Sequence, residues 1–237
     1  MIKGLIGRPL ISLLPKYSPA IRERPFRGEW GALGRLIRNG YYLRAVAEGD
    51  HGLIHDFLQD YWASSASQGF FDHFQHRFET LFMRHHEGIV PEIRRIADEW
   101  AGVVPRLVEI GVGDARVLAH LESQLPGFGE FHGIDVNEEQ ISINRKEFRG
   151  REKFHFWTEN AHHWLIRHPG AGTVIFTNGG VFEYMTRRQL LELFRELAAV
   201  NRPCAVAVTE TVALDHDLTK ERRSLLYGPE FAFSHNY

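Results

Sequence analysis

After Pro105 the chain changes rhythm. "RLVEIG" (106–111), "EFHGID" (130–135), "KFHFWT" (153–158), "GTVIFTN" (172–178) and "CAVAVTET" (204–211) are short runs rich in apolar residues, and helical patterns lie between them at 114–124, 137–148, 160–168 and 186–201. Parallel strands need a long crossover, usually a helix. They are covered on both faces, so they read as continuous apolar runs rather than alternating ones. Five such units predict an α/β fold: a doubly wound, mostly parallel sheet with helices on both faces. A sheet of that kind binds its ligand beyond the carboxyl ends of the strands, where the strand order reverses.

The chain ahead of this region has another character. Residues 1–40 are rich in Pro, Gly and Arg with no sustained period and read as a loosely structured arm; residues 41–101 read as a helical cap and 102–237 as the α/β core. In the cap, Leu53, Ile54, Phe57, Leu58 and Tyr61 share one helix face. Phe70, Phe71, Phe74, Phe78, Leu81 and Phe82 share another, and "PEIRRIADEW" (91–100) reads as a helix with Pro91 in its first turn.

The first strand–turn–helix unit, "VEIGVGDAR", carries the chemistry. Gly111 and Gly113 let the backbone approach a ligand closely. A dinucleotide fingerprint would place a third glycine where Ala115 or Arg116 stands, and an acidic residue inside the strand, Glu109, suits a ligand with a positive end better than a pyrophosphate. Asp135 ends the second strand 22 residues beyond Gly113, the spacing at which a carboxylate takes ribose hydroxyls. After the third strand comes Asn160, whose carboxamide offers both an acceptor and a donor to an adenine edge.

Glu109-Ile110-Gly111-Val112-Gly113, then Asp135-Val136, then Asn160-Ala161 resemble the successive cofactor motifs of the class I S-adenosylmethionine-dependent methyltransferases, in order and spacing over roughly residues 100–211. The resemblance implies a Rossmann-like sheet of seven strands, the first five parallel. It implies S-adenosylmethionine as cofactor and S-adenosylhomocysteine as product. It places the glycine loop under the methionine end, Asp135 on the ribose and Asn160-Ala161 at the adenine. Asn178 at the end of the fourth strand completes the implied cofactor set. Only 26 residues follow Thr211, so the last strands of such a sheet are expected to be missing or truncated.

Methyl transfer needs an oriented nucleophile and, for a protonated acceptor, a base. Candidates after the fourth strand are Glu183 and Tyr184 in "TNGGVFEYM"; the Asn-Pro-Pro-Tyr form that marks methylation of base nitrogens is absent there. Of 14 histidines, His162, His163 and His235, with His85 or His86 from the cap, are the candidate bases. No Cys pair or His-Glu-x-x-His pattern suggests a metal site, and Asn178 and Glu210-Thr211 stand where magnesium-dependent relatives carry paired Asp.

Composition bounds the rest. Residues 1–44 hold nine Lys/Arg against Glu23 and Glu29, a net of +7, which leaves −9 over the remainder of a chain whose total is −2. That arm fits phosphate contacts of an RNA or protein methyltransferase, or simple packing on the chain's own acidic domain. The lone Cys204 lies in an apolar run and fits a cytoplasmic protein. No segment approaches a membrane span. Aromatic residues make up 12% of the chain, a hint of an apolar or aromatic small-molecule acceptor. The expectation is methyl transfer to oxygen or nitrogen of such a molecule, with nucleic acid disfavoured and a homo-oligomer formed through the cap or the sheet edge. The competing readings are a non-catalytic cofactor-binding partner subunit and a nicotinamide oxidoreductase.

Overall fold

A computed structural model describes residues 2–13, 18–28, 30–73, 76–200, 203–228 and 232–237. The chain forms two compact units, Met1–Phe70 with Leu226–Ala232, and Phe71–Leu225 with Phe233–Tyr237.

The first unit is helical: α1 (Ile2–Leu13), α2 (Ser18–Glu23), α3 (Ala32–Glu48), α4 (His51–Trp62) and the start of α5 (Gln68–His73). The described residues of 1–40 are thus not the loose arm that their Pro, Gly and Arg content suggests. Ile11, Ile21 and Ile37 close a small core with Trp30 and Tyr41. Three arginines reach partners on this unit. Arg8 donates to the Leu43 carbonyl at 2.8 Å, Arg27 pairs with Asp60 at 2.9 Å, and Arg38 lies 4.2 Å from the Phe26 ring centre. Guanidinium stems and faces pack well on aromatic surface, so a basic, aperiodic stretch can still fold. α3 stops at Gly49, which takes the left-handed conformation (φ 66°), and α4 starts at Asp50, whose side chain accepts from the Leu53 N–H.

The second unit contains the sheet. β1 (Arg106–Ile110), β2 (Glu130–Asp135), β3 (Phe154–Thr158), β4 (Thr173–Asn178) and β5 (Cys204–Thr209) are all parallel, in the order β3-β2-β1-β4-β5. They alternate with α7 (Arg116–Gln124), α8 (Glu138–Glu147), α9 (Ala161–Arg167) and α10 (Arg187–Val200), within a residue or two of the expected boundaries. Alternate strand residues feed two cores, as the pleat requires. Leu107, Val174 and Phe176 point to the layer of α6 (Ile89–Asp98), α7 and Ile141 of α8, while Val108, Ile110 and Ile175 point to the layer of α9 and α10. The order reverses between β1 and β4, so the site is expected there. Two short strands, β6 (Leu225–Tyr227) and β7 (Ala232–Ser234), follow and do not join this sheet. Among the described residues, no helix is long and apolar enough to cross a membrane.

The aromatic stripe of the cap is not one helix. α5 ends at His73, Phe74 lies outside the described residues, as does the Phe71 side chain, and Phe78–His86 is wound as a π-helix with a 2.9 Å bond from the Glu87 N–H to the Phe82 carbonyl. Phe82 is fully buried, edge-on to Phe176 with 6.4 Å between ring centres and 5.7 Å from His120. Phe78 stacks on Phe82 at 6.1 Å, so these rings are core and not the wall of an aromatic cleft. Because Phe82 ties the π-helix to the sheet, Phe82→Ala is expected to cost about 3–5 kcal/mol. A fall in the urea midpoint of the intact chain measures it.

Candidate cofactor site at the ends of β1, β2 and β4

The glycine loop is built from three left-handed residues at every second position: Gly111 (φ 68°), Gly113 (φ 51°) and Ala115 (φ 59°). Ala115 is the sole non-glycine with positive φ among the described residues, and it is fully buried at the N-terminus of α7. The loop thus keeps the geometry of a three-glycine turn and carries a methyl group where the third glycine would be, at a cost of roughly 1–2 kcal/mol in backbone strain. At Gly111 the close approach is to the β4 loop: a Cβ there would stand 2.6 Å from Val181 Cγ2.

Side chains from β2 and α8 hold this loop. Asp135 accepts from the Gly113 N–H at 3.1 Å through one oxygen and from the Asn137 N–H at 2.9 Å through the other. Asn144, fully buried on α8, donates to the Gly113 carbonyl at 2.7 Å and is itself held by Gln140 at 3.0 Å. Gln140 and Asn144 went unnoticed in the sequence. Their signal was two amides four residues apart on the face of α8 that also carries buried Ile141. Val136 follows Asp135 at the end of β2, half-buried.

Beneath the loop lies Glu109, 2% exposed, with Oε2 lacking a hydrogen-bond partner among the described residues. Burial first, then the charges of Asp114 and Asp135, push its carboxyl well above the usual carboxylate range. Burial also raises Asp135, against the backbone donors it accepts from. Three carboxyl groups converge on a loop that a dinucleotide enzyme would leave free for phosphate.

Asn160 is the N-cap of α9, its side-chain oxygen accepting from the His162 N–H at 3.0 Å, so that oxygen is committed to the helix. Ala161 is buried at the first helical position, where the helix supplies no acceptor for its N–H. His162 is half-buried and His163 exposed, their ring centres 5.9 Å apart. Glu183 (7% exposed) and half-buried Tyr184 sit on the short 3-10 turn Phe182–Tyr184 beyond β4. Glu210, at the end of β5, shapes this segment by accepting from Thr177 Oγ1 and from the Val181 and Phe182 N–H groups, the last at 3.0 Å.

His235 is not available for proton transfer. It is 2% exposed, Nδ1 meets Ser224 Oγ at 2.6 Å, and Nε2 faces the carbonyls of Phe182 and Met185 at 3.2 and 3.0 Å. Burial lowers its pKa to about 4, so the ring is a neutral strut between the chain's last residues and the β4 loop. Asn178 faces the π-helix rather than the glycine loop. Its Oδ1 lies 2.7 Å from His86 Nδ1, with Thr209 Oγ1 3.2 Å from the same nitrogen. Arg77, at the other end of the π-helix, donates to the Gly179 carbonyl at 2.9 Å. Residues nine apart lie two and a half turns apart on an α-helix, hence on opposite faces. The wider π winding brings Arg77 and His86 to the same strand end, and an α-helical period hides that pairing.

One ligand-like cluster lies elsewhere. Glu130, His132 and His155 bring their polar atoms within 4.8 Å of one another. Trp157 Nε1–H donates to His132 Nδ1 at 3.3 Å, and His132 Nε2 faces Glu130 at 2.9 Å. That pattern places the ring proton on Nε2, the atom a metal would have to take, and accounts for His132 as a satisfied neutral histidine.

Residues 107–204 match the family model described as a methyltransferase domain. Over this segment the chain is similar to methyltransferase domains, and its parallel five-stranded sheet is Rossmann-like. Among solved structures, the chain is similar to the plantazolicin methyltransferase BpumL in complex with a pentazolic desmethylPZN analog and SAH, at 18% identity and a TM-score of 0.50 over 69% of this chain and 60% of that one. It is also similar to a SAM-dependent methyltransferase of Leishmania major, at 13% identity and 0.50 over 78% and 67%. These are likenesses of fold, and the chain spans about 60% of the length of the first. No curated protein matches it.

The buried Glu109 makes a signed pH prediction. A carboxyl raised above its unfolded value of 4.5 adds stability that is full below that value and is lost as pH rises through the native value. The ligand-free protein should lose stability from Glu109 as pH rises toward neutrality. Glu109→Gln should be at least as stable as wild type at pH 7, and the gap should close as pH falls toward 4.5. Melting temperatures of both proteins across pH test it; a constant gap would contradict it.

Proposed function

We propose that the chain binds S-adenosylmethionine at the β1–β2 loop and transfers its methyl group to an oxygen or nitrogen of a small molecule, releasing S-adenosylhomocysteine. The observation that carries this reading is the convergence of Glu109, Asp114 and Asp135 on the glycine loop. A carboxyl group poised to ionise favours a ligand with an ammonium and a sulfonium, and opposes the pyrophosphate of a dinucleotide. The match of residues 107–204 to a methyltransferase domain supports the same cofactor.

In this reading the loop Gly111-Val112-Gly113 runs under the methionine end with Glu109 behind it. Asp135 keeps acceptor capacity for the ribose hydroxyls beyond its backbone bonds, and Val136 flanks the ring. The adenine edge meets the free first-turn N–H of Ala161 and the amide nitrogen of Asn160, whose oxygen caps α9. Asn178 moves from the cofactor set to the acceptor side, with Glu183 and Tyr184. The acceptor atom would stand beyond the ends of β4 and β5, in line with the breaking C–S bond.

A cytoplasmic setting belongs to the same reading and is supported by the single, half-buried Cys204. A homo-oligomer is supported by β5, the last strand on its side of the sheet among the described residues, whose outer edge carries unpaired backbone groups.

Calorimetric titration with S-adenosylmethionine, S-adenosylhomocysteine and NAD in parallel tests the cofactor. The two sulfur nucleotides should bind and NAD should not; the reverse would overturn the reading. Asp135→Ala should lose about 10- to 100-fold in affinity, the worth of one or two hydrogen bonds to a charged group. Asp135→Asn, which keeps an acceptor for the loop, separates ribose binding from loop support.

A further inference from the structure

We infer that His86 is the proton acceptor of this transfer and that Asn178 is the positioning residue that fixes its tautomer. The inference rests on the proposed methyl transfer and adds to it a named base at the β4–β5 end of the sheet.

The geometry is specific. Asn178 is the last residue of β4 and Thr209 the last of β5, side by side in register. His86 ends the π-helix and places Nδ1 2.7 Å from Asn178 Oδ1. A carboxamide oxygen only accepts, so the short contact puts the proton on Nδ1. The Thr209 hydroxyl does not compete for it. Its oxygen accepts from the Gly179 N–H at 3.0 Å, and its own proton has acceptors at Thr177 O (3.4 Å) and Asn178 Oδ1 (3.5 Å). With Nδ1–H donated to Asn178, the neutral ring leaves a lone pair on Nε2. The His86 residue is half-buried.

The other candidate bases lack this combination. His235 has both nitrogens engaged in the core, His85 and His163 are exposed with no partner that fixes the ring, and His162 turns Nε2 into a buried position without a hydrogen bond. Asn178 also suits the task better than Asp would. A neutral partner orients the imidazole without placing a further negative charge beside a carboxyl-rich site.

The step balances. As the acceptor's lone pair forms the bond to the methyl carbon, the carbon–sulfur bond breaks and its electrons stay on sulfur. The acceptor's proton passes to His86 Nε2. The positive charge of the sulfonium reappears on the imidazolium, which returns the proton to water.

Two measurements test it on the intact chain. Nitrogen-15 NMR of histidine-labelled protein, with the His86 signals assigned by their loss in His86→Gln, should show neutral His86 protonated at Nδ1 and bare at Nε2. Asn178→Ala should release it toward the Nε2–H form. A wild-type ring protonated at Nε2 overturns the inference, whatever the acceptor. The second arm follows methyl transfer from S-adenosylmethionine to 4-chlorophenol, which must lose a proton, and to 4-chlorothiophenol, which is already anionic at neutral pH. His86→Gln should lower kcat for the phenol about 100-fold, at the low end for general-base catalysis, with KM and S-adenosylmethionine affinity within about 3-fold. The thiolate should keep its rate. Equal losses on both probes, or none on either, would mean that His86 is not the base. A wild-type protein that binds no S-adenosylmethionine defeats the functional reading instead, and the tautomer result separates the two failures.

Discussion

A carboxyl group buried without a full set of donors is the constraint around which the sheet end is arranged. Burial penalises an ionised Glu109 beneath the loop, and the backbone hydrogen bond at Leu118 offsets this only in part. The neighbours make this worse, since Asp114 and Asp135 add negative charge. Such a site favours the protonated carboxyl, or a cation beside the ionised one. In the proposed reading, the feature that raises this carboxyl also favours a positively charged ligand end, so stability and affinity are linked through one group.

The loop above Glu109 has to be rigid for that linkage to work, because a mobile loop would relax and admit water. Rigidity comes from polar contacts that cost little once made. Asp135 grips the Gly113 N–H from one side and Asn144 grips the Gly113 carbonyl from the other, so both polar groups of that peptide position are committed. The loop also reaches back to β2, where the Gly111 and Val112 N–H groups share the Ile134 carbonyl at 2.8 and 3.1 Å. Ala115 shows how firmly the turn is determined. A left-handed alanine persists because α7 and the core fix its neighbours, not because the residue favours that conformation.

Much of this was legible in the sequence because its determinants are local. Continuous apolar runs separated by helical patterns set the five parallel strands, and the spacing of Glu109, Gly111, Gly113 and Asp135 set where the loop lies. Where sequence reasoning fell short, the determinants were tertiary. Residues 1–40 looked loose because Pro, Gly and Arg suppress periodicity, yet Arg8, Arg27 and Arg38 find partners far along the chain. The stripe from Phe70 to Phe82 looked like one α-helix because a 3.6-residue period was imposed on it. The π winding from Phe78 changes which residues share a face, and it hid the pairing of His86 with Asn178. His235 looked like a free base because nothing in a sequence shows that Phe182 and Met185 will offer it two carbonyls.

The segment after β4 shows a division of labour between holding and reacting. Glu210 binds it from β5 and His235 binds it from the chain's last residues, so the turn that carries Glu183 and Tyr184 is fastened from two directions. Both fastening groups are titratable, but each is spent on backbone partners in a buried setting: burial raises Glu210 and lowers His235. Groups tied in that way keep geometry. A reacting group has to keep one atom uncommitted, and in the proposed transfer that condition favours His86, which is held at Nδ1. The orienting contact and the proposed proton transfer are then two halves of one requirement: the ring must be fixed at Nδ1 for Nε2 to act as a base.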